Sequence, residues 1–159
     1  MKDNNFPLQP TRRVFLAGAG AATLVAALLR PAAAADAERS TQFNAALSAL
    51  LAGASPQTGG IEMDIPSDIE NGDYVPVALG VNSPMTADNH VKAIHLLSTL
   101  NPHAEVATFR FTLHSGKAKV TSRMRLAKSQ EVVAIAELSD GTFLIATKTV
   151  SVKIGGCGI

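Results

Sequence analysis

The stretch "EVVAIAELSDGTFLIATKTVSVKI", Glu131 to Ile154, holds two runs rich in Val, Ile, Thr and Phe on either side of Ser139-Asp140-Gly141. β-branched and aromatic residues suit a pleated surface, and a short Asp-Gly turn reverses the chain between two strands. The stretch therefore predicts an antiparallel hairpin. Neither run shows the 3.6-residue apolar period of a helix.

Upstream the same period of two recurs. In "VATFRFTL", Ala107, Phe109, Phe111 and Leu113 share one face, with Arg110 and Thr112 on the other. In "KAKVTSRMRL", Ala118, Val120, Met124 and Leu126 point inward, while Lys117, Lys119, Arg123 and Arg125 point outward. The run "VKAIHLLS" reads as a strand from its length and β-branched residues. Val75, Val77, Leu79 and Val81 form another, with Pro76 suggesting an edge strand or a strand start. Ile61, Met63 and Ile65 alternate with Glu62 and Asp64. About seven short strands with hairpin-like turns at "HSGK" and "SDGT" predict an all-β fold, an antiparallel β-sandwich of immunoglobulin-like type.

One segment departs from this period. In "STQFNAALSALLAG", Phe43, Ala46, Leu47, Leu50 and Leu51 lie on a single helical stripe. Ser40 or Thr41 can cap its start, and Gly53 is placed to end it in a left-handed turn. A single short helix therefore precedes the sandwich.

The first 35 residues read differently. Arg12-Arg13 precedes a Gly/Ala-rich apolar stretch that closes on Ala32 to Ala35. A charged start, an apolar middle and small residues at the end form an export signal, and the paired arginines point to the twin-arginine route. The uncharged run from Val14 to Leu29 falls short of the roughly 20 apolar residues that a membrane span needs. Domain boundaries follow: 1–35 signal, 36–154 helix plus sandwich, 155–159 a C-terminal arm. Periplasmic location is the expectation. Without Lys2, Asp3, Arg12, Arg13 and Arg30, the remainder carries 10 basic and 12 acidic residues, which gives no reason to expect nucleic acid. Eight of those acids lie between Asp36 and His90, and nine of the bases lie from Val91 onward.

Few residues carry candidate chemistry. His90, His95, His103 and His114 are scattered, with no metal-binding spacing. The acids Asp68 and Glu70 sit in a turn-rich stretch and read as solvated. Cys157, the single cysteine, stands within Gly155, Gly156 and Gly158 beyond the last strand, and Ile159 ends the chain. An odd cysteine in an exported protein is either an intermolecular disulfide or a free reactive thiol. Glycine neighbours leave the backbone unrestricted, so the tail reads as a flexible arm holding the sulfur roughly 10–14 Å from the body. No basic group adjoins Cys157 to lower its pKa from about 8.5. The thiol then suits a carrier of sulfur, activated by a partner, better than a nucleophile in its own right. Two other readings are a structural or adhesive sandwich whose thiol forms dimers, and a metal-delivery module using Cys157 with Met85 or a histidine. The last lacks clustered soft ligands.

Several motifs in order carry a resemblance. "IENG" at Ile69–Gly72, "VPV" at Val75–Val77, "VNSPMTADNHVKAIHLL" at Val81–Leu97, "NPHAEVATFRFT", "SGKAKVTSRMRLAKSQEVVAIAELSDGTF" and the closing "VKIGGCG" are similar to the SoxY family. These proteins are the sulfur-carrier subunits of the periplasmic thiosulfate-oxidising Sox system. The resemblance implies an immunoglobulin-like sandwich paired with a sister subunit, SoxZ, and a carrier rather than an enzyme. It implies that Cys157 receives sulfur from a haem enzyme, SoxAX, and passes it to a hydrolase, SoxB, and a sulfur dehydrogenase, SoxCD. Haem, manganese and molybdenum would belong to those partners, leaving this chain no cofactor of its own beyond sulfur bound to Cys157. The family's tail typically reads GGCGG, so Ile159 is a departure that adds bulk two residues from the thiol.

Overall fold

A computed structural model describes residues 38–156. Residues 1–37, which include the expected export signal at 1–35, and Cys157, Gly158 and Ile159 lie outside them. Among the described residues one α-helix, α1 (Thr41–Leu51), precedes nine strands: β1 (Gln57–Thr58), β2 (Ile61–Asp64), β3 (Asp68–Asn71), β4 (Val75–Val81), β5 (Val91–Ser98), β6 (Glu105–Arg110), β7 (Ala118–Met124), β8 (Gln130–Leu138) and β9 (Phe143–Ile154). They form two sheets. The larger has the order β1-β9-β8-β5-β6, with β3 also paired to β9, and the smaller has the order β2-β4-β7. All seven expected strands are present. The two additions, β1 and β3, are a two-residue and a four-residue strand running parallel to β9 along its free edge. Too short for a periodic signal, they are visible only once β9 is there to pair with them.

The larger sheet explains why "EVVAIA" is almost continuously apolar. On one face Ile94, Leu96, Val132, Ala134, Ala136 and Val150 meet the smaller sheet's Val75, Val77, Leu79 and Val81 in the main core. On the other face Leu97, Val133 and Ile135 are covered by Phe43, with Ala46, Leu47, Leu50 and Leu51 packed against them. A strand buried on both faces has no polar side to show. Phe43 is fully buried, so the helix acts as a third layer over the larger sheet.

Local signals account for the helix ends. Ser40 Oγ accepts a hydrogen bond from the Phe43 amide at 3.1 Å, and the Ser40 amide donates to the Thr99 carbonyl at 2.9 Å. That cap contributes about 1 kcal/mol. The left-handed turn at the other end begins at Ala52 (φ 47°), one residue earlier than expected, and continues through Gly53.

Two connections differ from expectation. "SDGT" is a hairpin turn: the Leu138 amide donates to the Thr142 carbonyl at 2.9 Å, and Gly141 has φ 86°. "HSGK" is instead a crossover from β6, at the edge of the larger sheet, through a short 3-10 turn at Leu113–Ser115 to β7 in the smaller sheet. β6 accordingly ends at Arg110. Phe111 still packs on the core, and Leu113 is exposed. Pro76 lies second in β4, the central strand of its sheet. β2 pairs with β4 only from Ala78 to Val81, so Pro76 has a neighbour on the β7 side alone. A strand start that lacks one neighbour tolerates the missing N–H.

Candidate functional site

The chain reaches its cysteine through the end of β9. β8 pairs with β9 as far as Gln130 opposite Val150, and beyond that point other segments take over. β3 runs alongside in parallel register, with Asp68 opposite Ser151 and Asn71 opposite Ile154. On the other side Ser129 brackets Val152: its Oγ accepts from the Val152 amide at 2.8 Å and donates to the Val152 carbonyl at 3.3 Å. Glu70 and Lys153 form an exposed ion pair across β3 and β9, so Glu70 is solvated but not unpartnered.

Three backbone hydrogen bonds then close around the last described residues. The Gly72 amide donates to the Ile154 carbonyl at 2.8 Å, the Leu126 amide to the Gly72 carbonyl at 2.9 Å, and the Gly156 amide to the Leu126 carbonyl at 2.9 Å. Glycine is needed at each corner. A Cβ on Gly72 would strike the Leu126 carbonyl oxygen, one on Gly155 the Ala127 carbonyl oxygen, and one on Gly156 the Asp73 amide and the Gly72 carbonyl carbon, all well inside 3 Å. Backbone atoms cannot swing aside as a side-chain tip can. Gly155 and Gly156 were expected to begin a flexible arm. They are instead packed against two loops, and their missing side chains serve close backbone approach.

The loop that receives Gly156 is itself held from below by buried polar groups. Asn101 Nδ2 donates to the Arg125 carbonyl at 2.8 Å, and Asn101 Oδ1 accepts from the Ala127 amide at 2.9 Å and from Gln130 Nε2 at 2.8 Å. Gln130 Nε2 also donates to the Lys128 carbonyl at 3.1 Å, while its Oε1 accepts from the Leu100 amide at 2.7 Å. Both side chains are buried, and Asn101 grips the residues on either side of Leu126. Sequence reasoning missed this pair. The signal available was two amides beside apolar runs, which alone does not separate a buried network from a loop surface.

Around this junction the surface is mixed. Tyr74 and Ile154 are exposed large apolar residues, at 58% and 65%. The Arg123 guanidinium stacks 4.3 Å from the centre of the Tyr74 ring. Arg125 and Lys128 are exposed, and neither forms an ion pair among the described residues.

The histidines do not converge. Among the described residues no three His, Cys, Asp or Glu side chains lie close enough to hold a metal ion. His90 Nδ1 bonds the Thr86 carbonyl at 3.0 Å, and His95 Nδ1 bonds Thr108 Oγ1 at 3.1 Å, leaving His95 Nε2 buried without a partner. Burial lowers the His95 pKa, assisted by Arg110 and opposed by Glu137 and Glu105. Met85 packs into the core and does not offer its sulfur to a ligand.

Comparison with known proteins places this arrangement. The model of the family described as "Sulfur oxidation protein SoxY" matches residues 47–157, more than half of the chain and up to the cysteine. The chain belongs to the SoxY family. Among solved structures, the sulfur carrier protein SoxY from Chlorobium limicola f thiosulfatophilum is 26% identical, with a TM-score of 0.59 over 71% of this chain and 97% of that one. The superoxide reductase (neelaredoxin) from Ignicoccus hospitalis is 20% identical, with a TM-score of 0.54 over 59% of this chain and 80% of that one. A superoxide reductase from Nanoarchaeum equitans is 13% identical, with a TM-score of 0.52 over 60% of this chain and 100% of that one. At such identities the two reductases share the sandwich with this SoxY-family chain, and that likeness concerns fold alone. No curated protein matches the chain.

Proposed function

We propose that this protein is a sulfur carrier of periplasmic thiosulfate oxidation, with Cys157 as its covalent attachment point. The observation that carries the reading is the SoxY family match, which runs through the sandwich and ends on Cys157. Support also comes from the likeness to a SoxY titled as a sulfur carrier protein, and from β9, which leads the chain directly toward its only thiol.

The chemistry needs no catalytic group on this chain. Cys157 thiol and thiosulfate join to give an S-thiosulfonate, forming the S–S bond, releasing one proton and passing two electrons to a haem-bearing SoxAX-like partner. Water then cleaves the terminal sulfur–sulfur bond at a SoxB-like hydrolase, giving sulfate, a proton and a persulfide left on Cys157. A SoxCD-like dehydrogenase can oxidise that remaining sulfur. Thiosulfonate and persulfide are both reversible states of a cysteine. The carrier works with a SoxZ-like sister subunit, and residues 1–35 direct it to the periplasm by the twin-arginine route. Ile159 stands two residues after Cys157 where the family's tail typically has glycine, and its bulk bears on which partners the tip can enter.

Intact-mass spectrometry of the protein from thiosulfate-grown cells tests this. Mass additions of sulfur or thiosulfonate on Cys157, removed by reductant and absent from Cys157→Ser, are expected. A thiol that is only free or engaged in a disulfide-linked dimer would overturn the carrier role and favour an adhesive sandwich.

A further inference from the structure

We propose that the open edge of β7 is a docking strand for an extended acidic segment of a partner protein. The inference does not rest on the carrier reading.

Among the described residues β7 has a strand on one side alone, β4. Its register against β4 is unbroken over all seven residues, with no bulge and no proline in β7. Alternate residues of an antiparallel strand turn their N–H and C=O to opposite sides. Pro76 has no N–H, so its pair with Arg123 is not one that exchanges two hydrogen bonds. The exchanging pairs are then Val75 with Met124 and Val77 with Ser122, and Leu126, next in step, gives its amide to the Gly72 carbonyl. Lys119, Thr121 and Arg123 therefore turn their backbone groups to the open side. All three are exposed, and an open cleft of about 430 Å³ is lined by Thr121, Ser122 and Arg123.

Lysines on an edge commonly deter pairing. Here both long cations lean the other way. Lys119 crosses over Gly80 to Glu62 at 3.0 Å, where a Cβ on Gly80 would meet its side chain at 3.3 Å. Arg123 stacks on Tyr74, at the start of β4, 4.3 Å from the ring centre. The row of free backbone groups is left uncovered.

Charge selects the occupant. Residues 106–130 hold six bases, Arg110, Lys117, Lys119, Arg123, Arg125 and Lys128, and no acid. The uneven placement of charge along the sequence thus becomes a basic flank around this edge. A second copy of β7 laid antiparallel about Thr121 would set Lys119 against Arg123 twice, and like charges directly opposite are destabilising. Self-pairing is opposed, whereas a strand bearing carboxylates is favoured. Only a peptide can answer alternating N–H and C=O groups with its own, so the free backbone row points to a protein strand and not to another polyanion.

The test follows the amides of the isotope-labelled full chain by NMR while a capped seven-residue peptide of alternating Glu and Thr is added, with a Lys–Thr peptide as its counterpart. In the free protein the Lys119, Thr121 and Arg123 amides should exchange at least about tenfold faster than those of Val120 and Ser122. The acidic peptide should shift signals within residues 117–125 and slow exchange at those three amides. The basic peptide should bind at least roughly tenfold more weakly. The double variant Lys119→Gln, Arg123→Gln should lose roughly tenfold in affinity for the acidic peptide, while unmoved β5 and β8 amides confirm the fold. Equal binding of the two peptides, shifts centred on another part of the molecule, or a free protein that already dimerises through β7 would overturn the proposal. None of these results touches the mass-spectrometric test of Cys157, so the two ideas fail separately.

Discussion

Asn101→Ala should weaken both the whole fold and the seat of the tail. Asn101 makes three hydrogen bonds, to the Arg125 carbonyl, the Ala127 amide and the Gln130 side chain, at 2.8–2.9 Å. It is only 8% exposed, and Gln130 only 5%, so the orphaned partners have little access to water. At roughly 1 kcal/mol net per bond, the loss is about 3 kcal/mol. For a domain of this size that corresponds to a fall in Tm on the order of 10 °C. Urea denaturation followed by circular dichroism measures the effect as a shift in midpoint at unchanged slope. Because Asn101 grips both neighbours of Leu126, the Gly156 amide should also lose exchange protection by more than the global loss requires. A stability change below about 1 kcal/mol, the worth of a single bond, with Gly156 protection intact, would refute the claim that this network holds the receiving loop.

Two further outcomes follow from the core and the one perturbed histidine. Phe43→Ala should cost about 3–5 kcal/mol, because a fully buried ring is removed from between α1 and the larger sheet. Thermal unfolding measures it, and a loss under about 1 kcal/mol would mean the helix is not a true third layer. The folded-state pKa of His95 is lowered, chiefly by burial, so the unfolded chain binds the proton more readily. Its share of stability is then complete above the unfolded pKa of about 6.5 and declines as pH falls from there through the lowered folded value. Urea midpoints between about pH 8 and pH 5 should fall less steeply in His95→Gln than in the wild type, and parallel curves would exclude the effect.

The periodic segments are legible in the sequence alone. The stripe Phe43 to Leu51 and the alternation in "KAKVTSRMRL" each report burial on one side of one element, which is a local property. β5 and β8 can be read as strands, although the reason for their unbroken apolarity, cover on both faces, needs the helix and the second sheet in place. Cys157 is legible as a candidate because a single thiol among glycines is conspicuous in composition. The meaning of those glycines is not, since mobility and close approach leave the same residue in the sequence.

The sequence by itself determined the helix and seven of the nine described strands, their sandwich class, and the single thiol that is the proposed attachment point for sulfur. Periodicity, turn chemistry and a unique thiol are written along the chain. Only the tertiary structure decided how the tail is seated. Gly72, Leu126 and Gly156 are 54 and 30 residues apart in turn, and both glycines exclude a side chain because of a backbone brought to them from elsewhere. A contact between distant backbones leaves no periodic trace. It becomes visible only when the strands that deliver them are assembled.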